Sequence, residues 1–192
     1  MSSISTTRGD TGQTTLAGGD AVSKSDLRIV ACGAVDELGA HLGLARAWCT
    51  EDKISNSLKQ LQRELFAITG ELAVPNHRKK NASKITQDTV DNLTVQVQQI
   101  EKIEGILLDW AIAGEHPASA ALDIARTVCR RAECQVVKLH ESGESVNPYL
   151  LAYLNRLSDL LWLFGRWVEV LSGVNARLRE DTHKTTPWSK AW

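Results

Sequence analysis

Residues 126–133, Arg126-Thr127-Val128-Cys129-Arg130-Arg131-Ala132-Glu133, place three arginines and a glutamate among small and apolar residues. On a helix, positions 126, 130 and 133 fall within an arc of about 60°, while Arg131 points elsewhere. Two guanidiniums one turn apart with a carboxylate beside them present a planar, permanently charged surface suited to phosphate oxygens. A solvated helix face with an internal Arg–Glu pair has the same pattern, so the stretch alone does not choose between the two.

The beginning of the chain offers a second candidate for anion binding. Residues 2–20 are dominated by Ser, Thr, Gly and Asp, with Thr6, Thr7, Arg8, Gly9, Thr14 and Thr15 among them. Glycines let backbone N–H groups approach oxygens, and hydroxyls add donors, so the segment has the makings of a phosphate cradle. Its composition equally suits a disordered leader. It is not a Walker loop, because the Gly-x-x-x-x-Gly-Lys-Ser/Thr pattern is missing. Lys24 and Arg28 follow where a first helix begins and would add positive charge.

These groups need a scaffold, and the chain can supply one. Its 192 residues, 43% hydrophobic, suffice for a single domain with its own core. A net charge of -1 gives no global field for nucleic acid or an acidic membrane, so a polyanion must be held locally. Cysteines 32, 49, 129 and 134 show no Cys-x-x-Cys spacing, and the scattered histidines form no zinc-like cluster. With no leader or apolar span evident, a cytoplasmic protein with reduced thiols is expected.

Periodicity predicts five helices, over 26–49, 53–74, 86–106 or beyond, 117–141 and 148–172. Leu58, Leu61, Leu65, Ile68 and Leu72 recur at helical spacing, as do Leu150, Leu154, Leu157, Leu161 and Phe164. Thr94-Val95-Gln96-Val97 alternates as a strand would, but Leu93, Val97, Ile100 and Glu104 follow the helical period. Pro75, Pro117, Pro148 and Pro187 lie between these segments or at their starts. The expected fold is therefore all-α, an antiparallel-type helical bundle. Residues 1–25 form a Gly/Thr-rich loop, 26–172 the bundle domain and 173–192 a polar tail. Tryptophans 188 and 192 in that tail suggest that it packs somewhere. The basic stretch from Asn76 to Lys84 reads as a solvated linker.

Two further polar groups interrupt apolar helices. Asp36 and Glu37 lie in Val35-Asp36-Glu37-Leu38, where a buried acid would need a cation. Asn155, Ser158 and Asp159 share a helix face, as a site or as an interhelix hydrogen-bond network. Glycines 39 and 43, one turn apart, point to close helix packing.

Taken together, the segments resemble the PduO-type corrinoid adenosyltransferases. The resemblance rests on four motifs in order, spread over about residues 5 to 170. They are the Thr-Arg-Gly-Asp-Thr-Gly-Gln-Thr-Thr-Leu loop from Thr7, Val-Asp-Glu-Leu at 35–38, Ala-Arg-Thr-Val-Cys-Arg-Arg-Ala-Glu at 125–133 and Leu-Asn-Arg-Leu-Ser-Asp at 154–159. The resemblance implies a five-helix bundle assembled as a homotrimer, with active sites between subunits. It implies that Thr6, Thr7, Arg8, Gly9, Thr14, Thr15 and Lys24 wrap ATP. Arg130, Glu133 and Asn155 would complete the nucleotide site from a neighbouring subunit. Arg126 would pair across the interface with Asp36. Trp110 stands where the family often has Phe followed by Leu-Pro-Gly-Gly, sixteen residues before Arg126. By that match it would pack under the corrin and keep the lower axial ligand off cobalt. The loop departs from the family in carrying Thr7 and Arg8 where Lys is common.

The implied reaction moves the 5′-deoxyadenosyl group of ATP, with Mg²⁺, to the cobalt of cob(I)alamin and releases triphosphate. Arg130 and Trp110 are the residues implied in catalysis, and no protein metal site is expected. A separate cob(II)alamin reductase is an implied partner, and a dependent enzyme could receive the product. The alternative is a non-catalytic carrier of adenosylcobalamin or nucleotide.

Overall fold

The computed structural model describes residues 5, 7–75 and 83–179. Five helices follow in order: α1 (Leu27–Trp48), α2 (Asp52–Leu72), α3 (Gln87–Ile100), α4 (Pro117–Glu141) and α5 (Pro148–Ser172). The expectation of an all-α five-helix bundle holds. Helix α4 lies against both α1 and α5, α2 covers α1, and α3 covers α5. Tertiary packing of apolar stripes, more than local propensity, holds such helices in water. Leu58, Leu61, Leu65, Ile68 and Leu72 of α2 are all buried, and so are Leu150, Leu154, Leu157, Leu161 and Phe164 of α5.

The helix ends follow local chemistry. Pro117 and Pro148 each open a helix, where a missing N–H costs nothing. His116 and Asn147 cap them by accepting from the amides of Ala118 and Tyr149. Gly173 closes α5 in the left-handed conformation, φ 66°. Among the described residues no helix is long and apolar enough to cross a membrane.

The structure departs from the sequence expectation in four places. Residues 13–23 are not a featureless loop but a short antiparallel hairpin, β1 (Gln13–Thr15) against β2 (Ala21–Ser23), with Thr14 opposite Val22. Gly18 and Gly19, at φ 109° and 99°, make its turn, a region that a Cβ disfavours. Leu16 is buried, and the Ala17 N–H donates to the Ala73 carbonyl at 3.0 Å, fastening the hairpin to the end of α2.

Helix α3 also stops at Ile100, six residues before the expected end at 106. Beyond it the bonds tighten to three-residue spacing, Ile103 N–H to Ile100 O at 2.9 Å. Gly105 then turns to φ 93°.

The third departure concerns Arg28, which is not available to a phosphate. It is buried, and its Nη1 donates to the carbonyls of Leu72 at 2.9 Å and Val74 at 3.2 Å. Its Nη2 pairs with Glu144 in the α4–α5 turn. The guanidinium thus caps the end of α2 and ties three elements together. Arg28→Ala is expected to cost about 1–3 kcal/mol, mostly from carbonyls left without a donor. A urea titration followed by helical circular dichroism checks this, and an unchanged midpoint would refute the capping role.

The fourth departure is in the segment after α5. The polar segment at residues 174–179, for which no partner within the chain was expected, runs back along the segment around Trp110, where Ala111 and Arg177 form an antiparallel bridge. The tail tryptophans, at 188 and 192, lie outside the described residues, as does most of the basic stretch at 76–84.

Candidate functional site

Of the loop residues, Thr6 lies outside the described residues. Thr7 adopts φ 57°, an uncommon backbone state for a β-branched residue. The loop folds back on itself, with Asp10 N–H donating to Thr7 O at 3.2 Å and Gly12 N–H to Gly9 O at 3.1 Å. The Lys24 N–H donates to Gly12 O at 2.9 Å, which brings the lysine back over the loop. Its ammonium lies so close to Gly9 that a Cβ there would sit 2.9 Å from Nζ. Gly9 therefore provides room for a charge above the loop backbone. Arg8 is exposed, Thr15 is exposed on β1, and Thr14 is half-buried beside it. The structure thus brings Gly9 and Lys24 together at the open end of the hairpin, with Thr14 and Thr15 on its first strand.

The α4 residues separate by partner. Arg126 Nε donates to Asp123 Oδ1 at 2.7 Å. Arg131 reaches across to α1 and pairs with Glu37 at 2.6 Å. Arg130 is exposed, and among the described residues no hydrogen bond or ion pair engages it. Close by, the Asn155 amide of α5 donates to Glu133 Oε1 at a long 3.4 Å. Asp159 completes this face, paired to Arg156 at 3.5 Å. Burial raises the Asp159 carboxyl above its ordinary range, while Arg156 and Arg130 pull it back. Ser158, the other member of the polar triplet, turns inward and donates to Asn155 O at 2.8 Å. The triplet is therefore part α4–α5 contact and part rim of the arginine face.

Asp36 sits on α1 and accepts from Thr69 Oγ1 of α2 at 3.0 Å. The glycines beside it serve packing, since Gln62 Nε2 donates to Gly39 O at 2.9 Å and stands 3.1 Å from a Cβ built on Gly43. Among the described residues, no hydrogen bond or ion pair joins the hairpin loop to Arg126, Arg130 or Glu133. Among the described residues of one chain, the two candidate groups therefore share no bond.

Trp110 lies elsewhere, half-buried at the edge of a cavity of about 380 Å³. The cavity opens between the 105–111 turn, the last turns of α5 and residues 173–177. Its wall is mixed, with Ile106, Leu108 and Val170 giving apolar surface and Asp109, Asn175 and Arg177 polar groups. One polar cluster also lines it. Arg166 and Glu169, both about 5% exposed, pair at 2.7 Å and share Ser119 as a third member. Burial lowers the Arg166 pKa and raises that of Glu169, each pulled back by the other's charge. The Arg166 guanidinium lies over the Trp162 ring at 5.3 Å, a contact that compensates for two buried nitrogens without acceptors.

This cavity wall is what the sequence reasoning missed. The sequence pattern points to Trp110, but not to Asp109 next to it or to the segment that runs back from α5. A polar Asp-Trp pair ending the apolar run Ile106-Leu107-Leu108 was the available signal.

Comparison with known proteins gives a consistent answer. Residues 4–168 match the family described as cobalamin adenosyltransferase. A cobalamin adenosyltransferase of Cupriavidus metallidurans is 39% identical over 170 residues, covering 86% of this chain and 88% of the relative. A corrinoid adenosyltransferase of Bacillus subtilis is 36% identical over 173 residues, 88% of each chain. Among solved structures, a variant PduO-type ATP:corrinoid adenosyltransferase from Lactobacillus reuteri, complexed with cobalamin and ATP, superposes with a TM-score of 0.85. It is 30% identical, and the match covers 93% of this chain and 100% of that one. The chain belongs to the cobalamin adenosyltransferase family.

Proposed function

We infer that this protein transfers the 5′-deoxyadenosyl group of ATP to the cobalt of cob(I)alamin, giving adenosylcobalamin and triphosphate. One observation carries the site assignment. Of three arginines on one helix segment, two are ion-paired within the chain and Arg130 alone is left open.

The chemistry fits these residues. Cob(I)alamin is itself a strong nucleophile, so the protein needs no activated Ser or Cys. Its tasks are in-line positioning and stabilising the charge on the departing triphosphate. Arg130 supplies a planar fork for phosphate oxygens. Lys24 and the loop N–H groups around Gly9 supply further positive potential. Mg²⁺ enters as part of the substrate Mg-ATP, held mainly through phosphate oxygens and water. Thr6, Thr7, Arg8, Thr14 and Thr15 belong to the same nucleotide loop, and Glu133 and Asn155 to the arginine side. Trp110 presents an apolar ring to the lower face of the corrin, excluding water and the axial base.

The two halves come together between subunits of a homotrimer, the loop of one chain meeting α4 of the next. That they share no bond among the described residues of a single chain supports this arrangement. Asp36 and Arg126 then form an intersubunit pair, Asp36 also accepting from Thr69 and Arg126 also pairing with Asp123 inside each chain. Asp36→Asn and Arg126→Ala are expected to weaken the trimer by similar factors, and the double variant by little more than either alone. Sedimentation equilibrium of the three variants measures it, and simple additivity would remove the pair. Residues 1–25 act as the nucleotide loop, 26–172 as the bundle and the remainder as a tail. The protein works in the cytoplasm with a separate cob(II)alamin reductase and hands its product to an adenosylcobalamin-dependent enzyme.

Incubation with Mg-ATP and chemically reduced cobalamin tests the reading. The expected result is adenosylcobalamin by its visible spectrum and triphosphate in equal amount. A carrier would bind the product yet make no triphosphate.

A further inference from the structure

The segment that returns from α5 is joined to the Trp110 turn by a short backbone ladder. Two ladder bonds join them, Ile112 N–H to Ala176 O at 2.8 Å and Leu178 N–H to Trp110 O at 2.8 Å. A two-stranded contact this short is marginal in water without further support. That support comes from Asp109. Its side chain is 7% exposed, and each carboxylate oxygen is engaged by a backbone amide. Oδ1 accepts from Trp110 N–H at 2.8 Å, and Oδ2 accepts from Arg179 N–H at 3.0 Å. The Arg179 guanidinium adds a looser contact to Oδ1 at 3.6 Å. A carboxylate so buried persists only where donors converge on it. Here the two principal donors, the Trp110 and Arg179 amides, belong to segments far apart in the chain.

We propose that Asp109 is a positioning residue: it latches the 174–179 strap to the Trp110 turn and thereby sets the aromatic wall that a corrinoid meets. The proposal rests on the transferase reading for its functional consequence, though the latch itself does not. One oxygen fixes the backbone of Trp110 and the other fixes the strap that closes the cavity beside it. An aromatic ring serves as a shaped wall only when its supporting shell holds it in place. Both backbone amides bond to the carboxylate, whereas the guanidinium contact is long and half-exposed. Asp109 therefore matters more than the charge of Arg179.

The chemistry also separates the variants. Asparagine offers one acceptor oxygen, so Asp109→Asn can satisfy Trp110 N–H or Arg179 N–H but not both. Alanine satisfies neither. Asp109→Ala and Asp109→Asn are expected to raise the KM for cob(I)alamin about tenfold or more, with the KM for ATP within twofold of the parent. Arg179→Ala is expected to change the corrinoid KM less than threefold. Hydrogen exchange on the full-length protein gives a readout independent of activity. In Asp109→Ala, the amides of Trp110, Ile112, Leu178 and Arg179 should exchange faster while those of α1 and α2 stay unchanged.

Unchanged exchange at these amides overturns the latch. Faster exchange with an unchanged corrinoid KM overturns the positioning role. Global loss of protection would make Asp109 a folding residue and also overturns the proposal. If the parent protein made no adenosylcobalamin, the function reading would fail instead, and exchange would still decide whether the latch exists.

Discussion

Arg130→Ala is expected to lower kcat by about 10²–10³-fold while the protein stays folded and assembled, the scale seen when one preorganised charge-stabilising donor is removed. Arg130 is exposed and makes no bond to the described residues, so its removal leaves no buried group unsatisfied. Stability should barely move, which makes the variant a clean probe of catalysis. Arg130→Lys keeps the charge but loses the bidentate fork, and should recover only part of the rate. Arg131→Ala is the internal control. Arg131 is spent on Glu37, both side chains about half exposed, a pair worth at most ~1 kcal/mol. Its activity should stay within a few-fold of the parent. Steady-state assays with reduced cobalamin, alongside circular dichroism, decide the matter. A folded Arg130→Ala protein turning over at the parental rate would end the phosphate role.

The contrast between these arginines shows where sequence reasoning reached and where it stopped. Helical geometry separated Arg131 from the others, and the structure gives the reason in Glu37 on α1. Geometry could not tell Arg126 from Arg130, because both lie on one face. Only the position of Asp123, one turn before Arg126, distinguishes them. The same limit explains Arg28. A basic residue at a helix start beside a Gly/Thr loop reads as a ligand for anions. Its real partners, Leu72 O, Val74 O and Glu144, are distant in sequence and invisible to local pattern.

The helices themselves were legible because burial repeats. Ile68 and Leu157 recur with their neighbours at spacings that only one period explains. The hairpin was not legible, since its strands are three residues long and contain no apolar alternation to register. The strap after α5 was hidden for a related reason. Ala176 and Leu178 carry little signal, and what holds them is backbone pairing plus Asp109. Four ordered motifs nevertheless point to the family, because each joins polar groups to core positions such as Val35, Leu38, Ala132 and Leu157 in a fixed order. Irregular segments around them are specified by contacts that form only once the bundle exists.

Trp110→Ala is the second large effect, and it should divide the reaction rather than abolish it. The ring is half-buried beside the cavity and shares no bond with the 7–25 loop among the described residues. Binding of Mg-ATP, read as a thermal shift, should therefore survive. Supplied with chemically reduced cob(I)alamin, the variant should still make product, more slowly. Supplied with cob(II)alamin and a reductant, it should lose about a hundredfold or more, equivalent to ~2.7 kcal/mol of lost stabilisation. The difference follows from what the ring does. On the proposed reading, an apolar wall under the corrin would keep water and the axial base off the lower face of cobalt, and a cobalt without a fifth ligand accepts an electron more readily. Alanine leaves space that water fills. The structural cost stays below the ~3–5 kcal/mol of losing a fully buried tryptophan, because the side chain is only partly enclosed. Trp110→Phe restores an aromatic wall of smaller area and should recover most of the cob(II)alamin-dependent rate. Cob(II)alamin reduction at the parental rate by a folded Trp110→Ala protein would take the ring out of the mechanism.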